Sequence, residues 1–261
     1  MKDLPLKLTL EPYHFPSLNS TITWAKHHLS HFTSSKLVRI SADEQTQGYG
    51  QYGRPWLTAR GESVAITYGM ILPPKCHLTV HRLHLLSVSA LDWLKSRGLN
   101  VLLRWPNDLI VEGAKLGGLI GEQIVTPQGA LLLCSLGINI HLSPSLAAQI
   151  DQPTTSLSHH IHNLPSPMEA IHAIDTRFLR ALNKYAVAGF SPYYNAWKEA
   201  LSPQPDESIS LKHHETTYHG ITRSIHPDGG LTLTLPSGEI KTFFSGSLVK
   251  HRSKNGELPP N

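Results

Sequence analysis

The 261 residues are enough for one sizeable domain and a smaller one, and 40% hydrophobic with 16% charged residues excludes a disordered chain. A formal charge of +4 and a pI of about 9.0 suit an anionic substrate or an acidic partner surface, but no run of lysines or arginines suggests a nucleic-acid arm. Cys76 and Cys134 are too few for a disulfide framework, Met1-Lys2-Asp3-Leu4-Pro5 has no signal-peptide core, and apolar runs such as Ala130 to Ile140 are too short for a spanning helix, so a soluble cytoplasmic protein is expected.

In chain order, Ser20 or Thr21 can cap a helix running to about Phe32, with Trp24, Ala25, Leu29 and Phe32 facing inward. Strands are predicted at 37–42 and 63–72. The clearest helix is Thr79 to Arg97, with Leu83, Leu86, Ala90, Leu91 and Leu94 apolar and Gly98 at its end. Strands follow at 100–105, 109–112, 116–125 and 130–141, the last pair turned by Thr126-Pro127-Gln128-Gly129. Residues 143–167, rich in Pro, Ser and His, read as a loop before helices at about 168–186 and 191–200. After Ser202-Pro203-Gln204-Pro205 come short alternating strands, with turns at His226 to Gly230 and at Pro236-Ser237-Gly238. The chain then divides into a large domain at 1–202, a small β domain at 203–252 and a loose tail at 253–261.

Two segments carry chemistry. In Arg104-Trp105-Pro106-Asn107-Asp108-Leu109, Pro106 holds Trp105 extended and places a polar Asn-Asp pair at a strand end. A tight turn then leads to Lys115-Leu116-Gly117-Gly118-Leu119-Ile120-Gly121-Glu122. There Gly117, Gly118 and Gly121 leave room for something to approach the backbone beside a lysine, as a bound phosphate or carboxylate requires. Alone, this also fits an ordinary hairpin with a surface lysine. The second segment is Glu44-Gln45-Thr46-Gln47-Gly48-Tyr49-Gly50-Gln51-Tyr52-Gly53-Arg54-Pro55-Trp56. Its glycines spell G-x-G-x-x-G, but Arg54-Pro55-Trp56 and a strand follow where a dinucleotide site needs a helix and a later acid. It is a glycine-rich loop between strands.

Together the segments resemble the biotin protein ligases, whose pattern is Gln-Thr-x-Gly-Arg-Gly-Arg-x-Gly-Arg-x-Trp, then Lys-Trp-Pro-Asn-Asp, then Lys-x-x-Gly-Ile-Leu. Ser17-Leu18-Asn19-Ser20-Thr21 is similar to that family's Asp-Ser-Thr-Asn helix entry, and Gly137-Ile138-Asn139 to its Gly-Ile-Asn strand end; the likeness runs over roughly residues 15 to 250. It implies an α+β fold of the class II aminoacyl-tRNA synthetase-like kind, a mixed sheet flanked by helices, with a small C-terminal SH3-like β-barrel. It also implies an ATP-dependent ligase, without the DNA-binding repressor domain that some relatives carry. Such an enzyme makes biotinyl-5'-AMP and passes biotin to a lysine of a biotin carboxyl carrier domain, using ATP and Mg²⁺.

By the same resemblance Lys115 and Arg54 are the catalytic cations. Ser20, Thr21, Gln45, Gly48, Gly50, Lys115 and Gly118 hold biotin, and the amides of Gly48, Gly50 and Gly53 face the anion. Arg54, Trp56, Asn107, Asp108, Lys115 and Asn139 hold the nucleotide, with Asp108 on the Mg²⁺ side because hard oxygen ligands suit that ion. The chain departs from the pattern at Tyr49 and Gln51, where arginines are usual, at Ile22 for asparagine, and at Arg104 for lysine. Loss of those contacts implies weaker retention of the adenylate. A lipoate or octanoyl transferase of the same fold and a non-catalytic biotin- or nucleotide-binding module are the alternatives, and the state stays open between monomer and homodimer. The 17 histidines include His77, His81 and His84 at helical spacing and His159, His160 and His162 in a loop. Neither set has a zinc signature, and surface positions are expected for them.

Overall fold

A computed structural model describes residues 8–72 and 78–249. The chain forms two compact units, one holding the residues up to Leu103 together with Asn107–Ala200, the other Arg104–Pro106 and the chain from Leu201.

The first unit is built on a mixed sheet. Strands β1 (Thr9–Phe15), β2 (Lys36–Ala42), β3 (Ser63–Leu72), β4 (Leu102–Arg104), β5 (Asp108–Val111), β6 (Ala114–Thr126) and β7 (Gly129–Asn139) lie in the order β1-β2-β3-β7-β6-β5-β4. β1 runs parallel to β2, while β2/β3, β3/β7, β6/β7 and β5/β6 are antiparallel. All ten residues of β3 are buried, as in a central strand covered on both faces, which is why it is largely apolar apart from Ser63 and Thr67.

Helix α1 (Thr21–His27) packs on β2 and β3, α2 (Leu78–Ser96) on β6 and β7, and α4 (Pro167–Ala188) on β3 and α2; α3 (Pro144–Ala147) is a single turn and α5 (Ser191–Ala200) leans on α2. α4 begins with a capping box: Ser166 Oγ accepts from Glu169 N at 3.2 Å while Glu169 Oε2 accepts from Ser166 N at 2.7 Å. Arg39, Asp175 and Tyr68 join α4 to the sheet, with Arg39 Nε 3.3 Å from Asp175 Oδ2 and Tyr68 OH donating to Asp175 Oδ1 at 2.6 Å.

The structure corrects three expectations. α1 stops at His27 instead of continuing to Phe32; a 3₁₀ turn at Leu29–His31 follows, leaving Leu29 40% exposed while Phe32 drops into the core with Ala25, Val38 and Ile40. Gly121 makes room for Leu83 of α2, whose Cδ1 would lie 2.8 Å from a Cβ there, so that clearance serves packing. His81 and His84 are half-buried: His81 stacks on Phe190 at 4.6 Å and His84 lies 4.5 Å from Trp197. His77 and the tail at 253–261 lie outside the described residues.

In the second unit, β8 (Leu201–Ser202) precedes an antiparallel sheet of β9 (Ser208–His213), β10 (Thr216–Ile225), β11 (Leu231–Thr234), β12 (Ile240–Phe243) and β13 (Ser247–Val249). Its order is β12-β11-β10-β9-β13, so β12 and β13 are its two ends and the five strands are not shown closing into a barrel. Trp105 belongs to this unit's core with Leu211, Leu231, Leu233 and Phe243, and its Nε1 donates to Gly229 O at 2.9 Å. The Trp-Pro-Asn-Asp motif therefore divides: its tryptophan builds one core, and its Asn-Asp pair serves the other unit.

Candidate functional site

Lys115 sits where β5 and β6 leave their hairpin, after a turn made by Glu112 and Gly113, both at positive φ. The register sets Asp108 opposite Gly118, and a slip between Leu109 and Ile110 brings Lys115 back over that pair. Lys115 Nζ lies 2.7 Å from Asp108 Oδ1, the two side chains being 17% and 16% exposed. A Cβ on Gly118 would come within 3.3 Å of Lys115 Cε, so the missing side chain gives the lysine its bed. Residues 153–155 clamp its backbone: Lys115 N donates to Pro153 O at 2.8 Å, and Thr155 N donates to Lys115 O at 2.9 Å. Asn139 Nδ2 donates to Thr155 O at 3.0 Å, so its amide reaches Lys115 through that clamp.

The glycine-rich loop folds into a small hairpin. Gly50 N donates to Arg54 O at 2.8 Å, Trp56 N donates to Gly48 O at 2.8 Å, and Tyr49 bridges to Pro55. The amide of Gly50 is thus committed within the loop, against the expectation that it would face an anion. A Cβ on Gly48 would lie 2.8 Å from Trp56 O and 3.0 Å from Gln45 Nε2, which only glycine avoids. The return strand lays Trp56 on the β7 backbone, its Cζ2 2.6 Å from where a Cβ of Gly137 would be. Lys115 Nζ stands 5.6 Å from a Trp56 ring centroid, within cation–π reach. Trp56 Nε1 is buried and makes no hydrogen bond among the described residues, a donor suited to a ligand acceptor.

A second group forms at the start of α1. Ser20 caps the helix, its Oγ accepting from Thr23 N at 3.4 Å. Gln45 Oε1 accepts from Thr21 N at 2.8 Å and from Thr21 Oγ1 at 3.0 Å. Thr21 Oγ1 is also 2.8 Å from Thr67 Oγ1, which is 2.7 Å from Ser135 Oγ. A backbone N–H only donates, so the amide atom facing Thr21 is the oxygen. Each hydroxyl has one proton, so Ser135 donates to Thr67, Thr67 to Thr21 and Thr21 to Gln45. The row leaves the two Nε2 protons of Gln45 pointing elsewhere, beside Gly48.

The structure thus brings Thr21, Gln45 and Gly48 together at one end, and Lys115, Asp108, Gly118 and Trp56 at the other, with the loop joining them. Arg54 is exposed on the loop. Asn107 Nδ2 donates to Leu119 O and Asn107 O accepts from Leu119 N at 2.9 Å, which ties the turn to β6. Among the described residues no three His, Cys, Asp or Glu side chains could together hold a metal ion. Mg²⁺ characteristically keeps several waters and binds through one or two carboxylates plus substrate phosphates, so Asp108 fits an ion carried in by a nucleotide. Sequence reasoning missed Thr67 and Ser135, which are register partners across β3 and β7. It also missed Lys26 and Glu122, which meet at Tyr49. For Thr67 and Ser135 the one signal was polarity inside otherwise apolar strands.

Compared with known proteins, residues 14–140 match the model of the biotin/lipoate A/B protein ligase family. A biotin–[acetyl-CoA-carboxylase] ligase of Paracoccus denitrificans is 26% identical over 79% of this chain and 90% of that protein. The bifunctional ligase/repressor BirA of Bacillus subtilis is 25% identical over 85% of this chain and 69% of its own length. In fold, the chain is similar to a biotin protein ligase from Aquifex aeolicus solved with biotin and ATP, at a TM-score of 0.70 and 20% identity over 92% of this chain and 97% of that one.

Proposed function

We propose that this chain, which belongs to the biotin/lipoate A/B protein ligase family, is an ATP-dependent biotin protein ligase. The observation that carries the reading is the Lys115 ammonium held 2.7 Å from Asp108, over Gly118 and beside the buried indole N–H of Trp56. A carboxylic acid becomes an acyl donor when its carboxylate oxygen attacks the α-phosphorus of ATP and pyrophosphate leaves. Two anions must meet and charge grows on the α-phosphoryl oxygens, so a fixed cation at that point stabilises the transition state more than the ground state. Lys115 takes this role. Its clamp by residues 153–155 and Asn139 sets its position before substrate arrives, and Arg54 faces the nucleotide phosphates. Mg²⁺, when bound with the nucleotide near Asp108, neutralises part of the phosphate charge.

The other end of the site suits a ring ureido group, with one carbonyl oxygen and two N–H groups in an apolar body. The ordered row from Ser135 to Gln45 presents Gln45 Nε2 as a donor, and Ser20 and Thr21 complete the polar end. In the second half-reaction a neutral lysine amine of a biotin carboxyl carrier domain attacks the acyl carbon, and AMP leaves as the C–N bond forms. Among the described residues no helix is long and apolar enough to cross a membrane, and burial pushes the Cys134 thiol up to about 12, offset only in part by Arg82. A cytoplasmic setting belongs to the same proposal, because two cysteines are too few for the disulfide framework of an oxidising compartment.

The test is a streptavidin blot of a carrier domain incubated with the protein, biotin and Mg-ATP. Labelling that requires both biotin and ATP is the expected result. Pyrophosphate exchange driven by lipoate but not by biotin would move the assignment to a lipoate ligase.

A further inference from the structure

Position 49, where the resembling family usually carries an arginine, holds a phenol whose oxygen lies between two charges. Lys26 Nζ of α1 donates to Tyr49 OH at 3.0 Å, Tyr49 OH donates to Glu122 Oε1 of β6 at 3.1 Å, and Lys26 and Glu122 are themselves in direct ion-pair contact. The ammonium also stands 5.6 Å from the Tyr49 ring centroid. The side chains of Lys26 and Glu122 are 34% and 24% exposed, so the ion pair is partly withdrawn from solvent and less screened than one at the surface. Burial pulls the Lys26 pKa down, but Glu122 and Tyr49 outweigh it and the pKa is raised, so the cation persists at neutral pH.

Three separate segments meet at this phenol: the helix that carries Thr21, the strand that carries Lys115 and Gly118, and the glycine-rich loop between them in the site. We propose that Lys26, Tyr49 and Glu122 form a latch that holds the glycine-rich loop in its closed hairpin before any ligand binds. Tyr49 is then a positioning residue. It gives up the direct charge that an arginine would offer the adenylate and instead fixes the loop's amides and Trp56 in place. The order of the loop comes from within the chain, and ligand retention depends on the latch. This inference rests on the ligase reading only for its second readout, below.

The loop tip offers a direct probe, because Tyr52 is 61% exposed at φ 57 and the Tyr52–Gly53 bond is a chymotrypsin site. In the ligand-free protein, Tyr49→Phe and Lys26→Met are expected to speed cleavage at that bond about tenfold, the effect of one lost charge-assisted hydrogen bond. Lys26→Arg keeps the charge and is expected to cut at the wild-type rate. Cleavage elsewhere stays at the wild-type rate and Tm falls by no more than the few degrees that one such contact is worth, whereas a merely structural role in the core would speed cleavage throughout the chain. In the loaded enzyme, Tyr49→Phe is expected to release biotinyl-adenylate about tenfold faster. Wild-type cleavage rates at Tyr52 in both Tyr49→Phe and Lys26→Met overturn the latch. A wild-type protein that forms no adenylate overturns the ligase reading instead, and the proteolysis still decides the latch.

Discussion

Lys115 and Asp108 face each other at 2.7 Å across a register pair in which Asp108 lies opposite Gly118. The ammonium proposed to meet two anions is thereby held by a carboxylate in the ligand-free protein. Lys115→Met removes the cation and leaves a carboxylate that is only 16% exposed without it. Adenylate formation, followed as pyrophosphate exchange, is expected to fall by about 10²–10³-fold, the usual loss when a fixed transition-state donor is removed. Asp108→Asn keeps the cation and is expected to raise the KM for ATP more than that for biotin. An undiminished exchange rate in Lys115→Met sinks the proposed mechanism.

Trp56 rests on backbone that has no side chain, and a Cβ at Gly137 would lie 2.6 Å from its Cζ2. Gly137→Ala therefore forces the indole off its seat and away from Lys115. Overpacking of this kind costs about 1–3 kcal/mol of stability, read as a lower urea midpoint. The ATP KM is expected to rise about tenfold, the loss of a contact worth about 1.4 kcal/mol, with little change in the KM for biotin. Equal increases in both constants would show that Trp56 does not serve the nucleotide end.

Much of the sheet was legible because β3, β6 and β7 are long and strongly apolar, and their bounds agree with the sequence reading to within two residues. β1 was not. It is an edge strand, it carries Pro12, and its parallel partner β2 lies beyond a helix. The early end of α1 was hidden because Leu29 and Phe32 continue the helical spacing, although a 3₁₀ turn sends Leu29 outward. In the site, the glycine loop and Lys115 could be read from local spacing. Thr67 with Ser135, 68 residues apart, and Tyr49 with Glu122, 73 apart, could not, since the register of β3 against β7 makes the first pair and the fold of the glycine-rich loop over β6 the second.

Gln51 occupies the other loop position where the resembling family usually carries an arginine, and the Lys26–Tyr49–Glu122 cluster does not involve its side chain. A charge-assisted contact to a phosphate or carboxylate contributes about 1.5–3 kcal/mol. Gln51→Arg is therefore expected to slow adenylate release by about tenfold to a hundredfold, measured by chasing labelled adenylate with unlabelled biotin and ATP. An unchanged off-rate means that the loop holds its ligand without help from that position.

The capping box at α4 gives a pH dependence of known sign. Hydrogen bonds from the Ser166 backbone and then its side chain hold the Glu169 carboxyl below its ordinary value of 4.5. A depressed folded pKa means that the charged form is favoured by folding, so this contribution is fully present above the unfolded value and is lost as pH falls through the folded one. Glu169→Gln keeps the shape and part of the reciprocal bonding but has no proton to take up. The wild type is expected to be the more stable at pH 7 by urea unfolding. The gap should begin to close just below pH 4.5 and be gone once Glu169 is protonated in both states. A gap of constant size across that range would assign it to packing rather than to the carboxylate's hydrogen bonds.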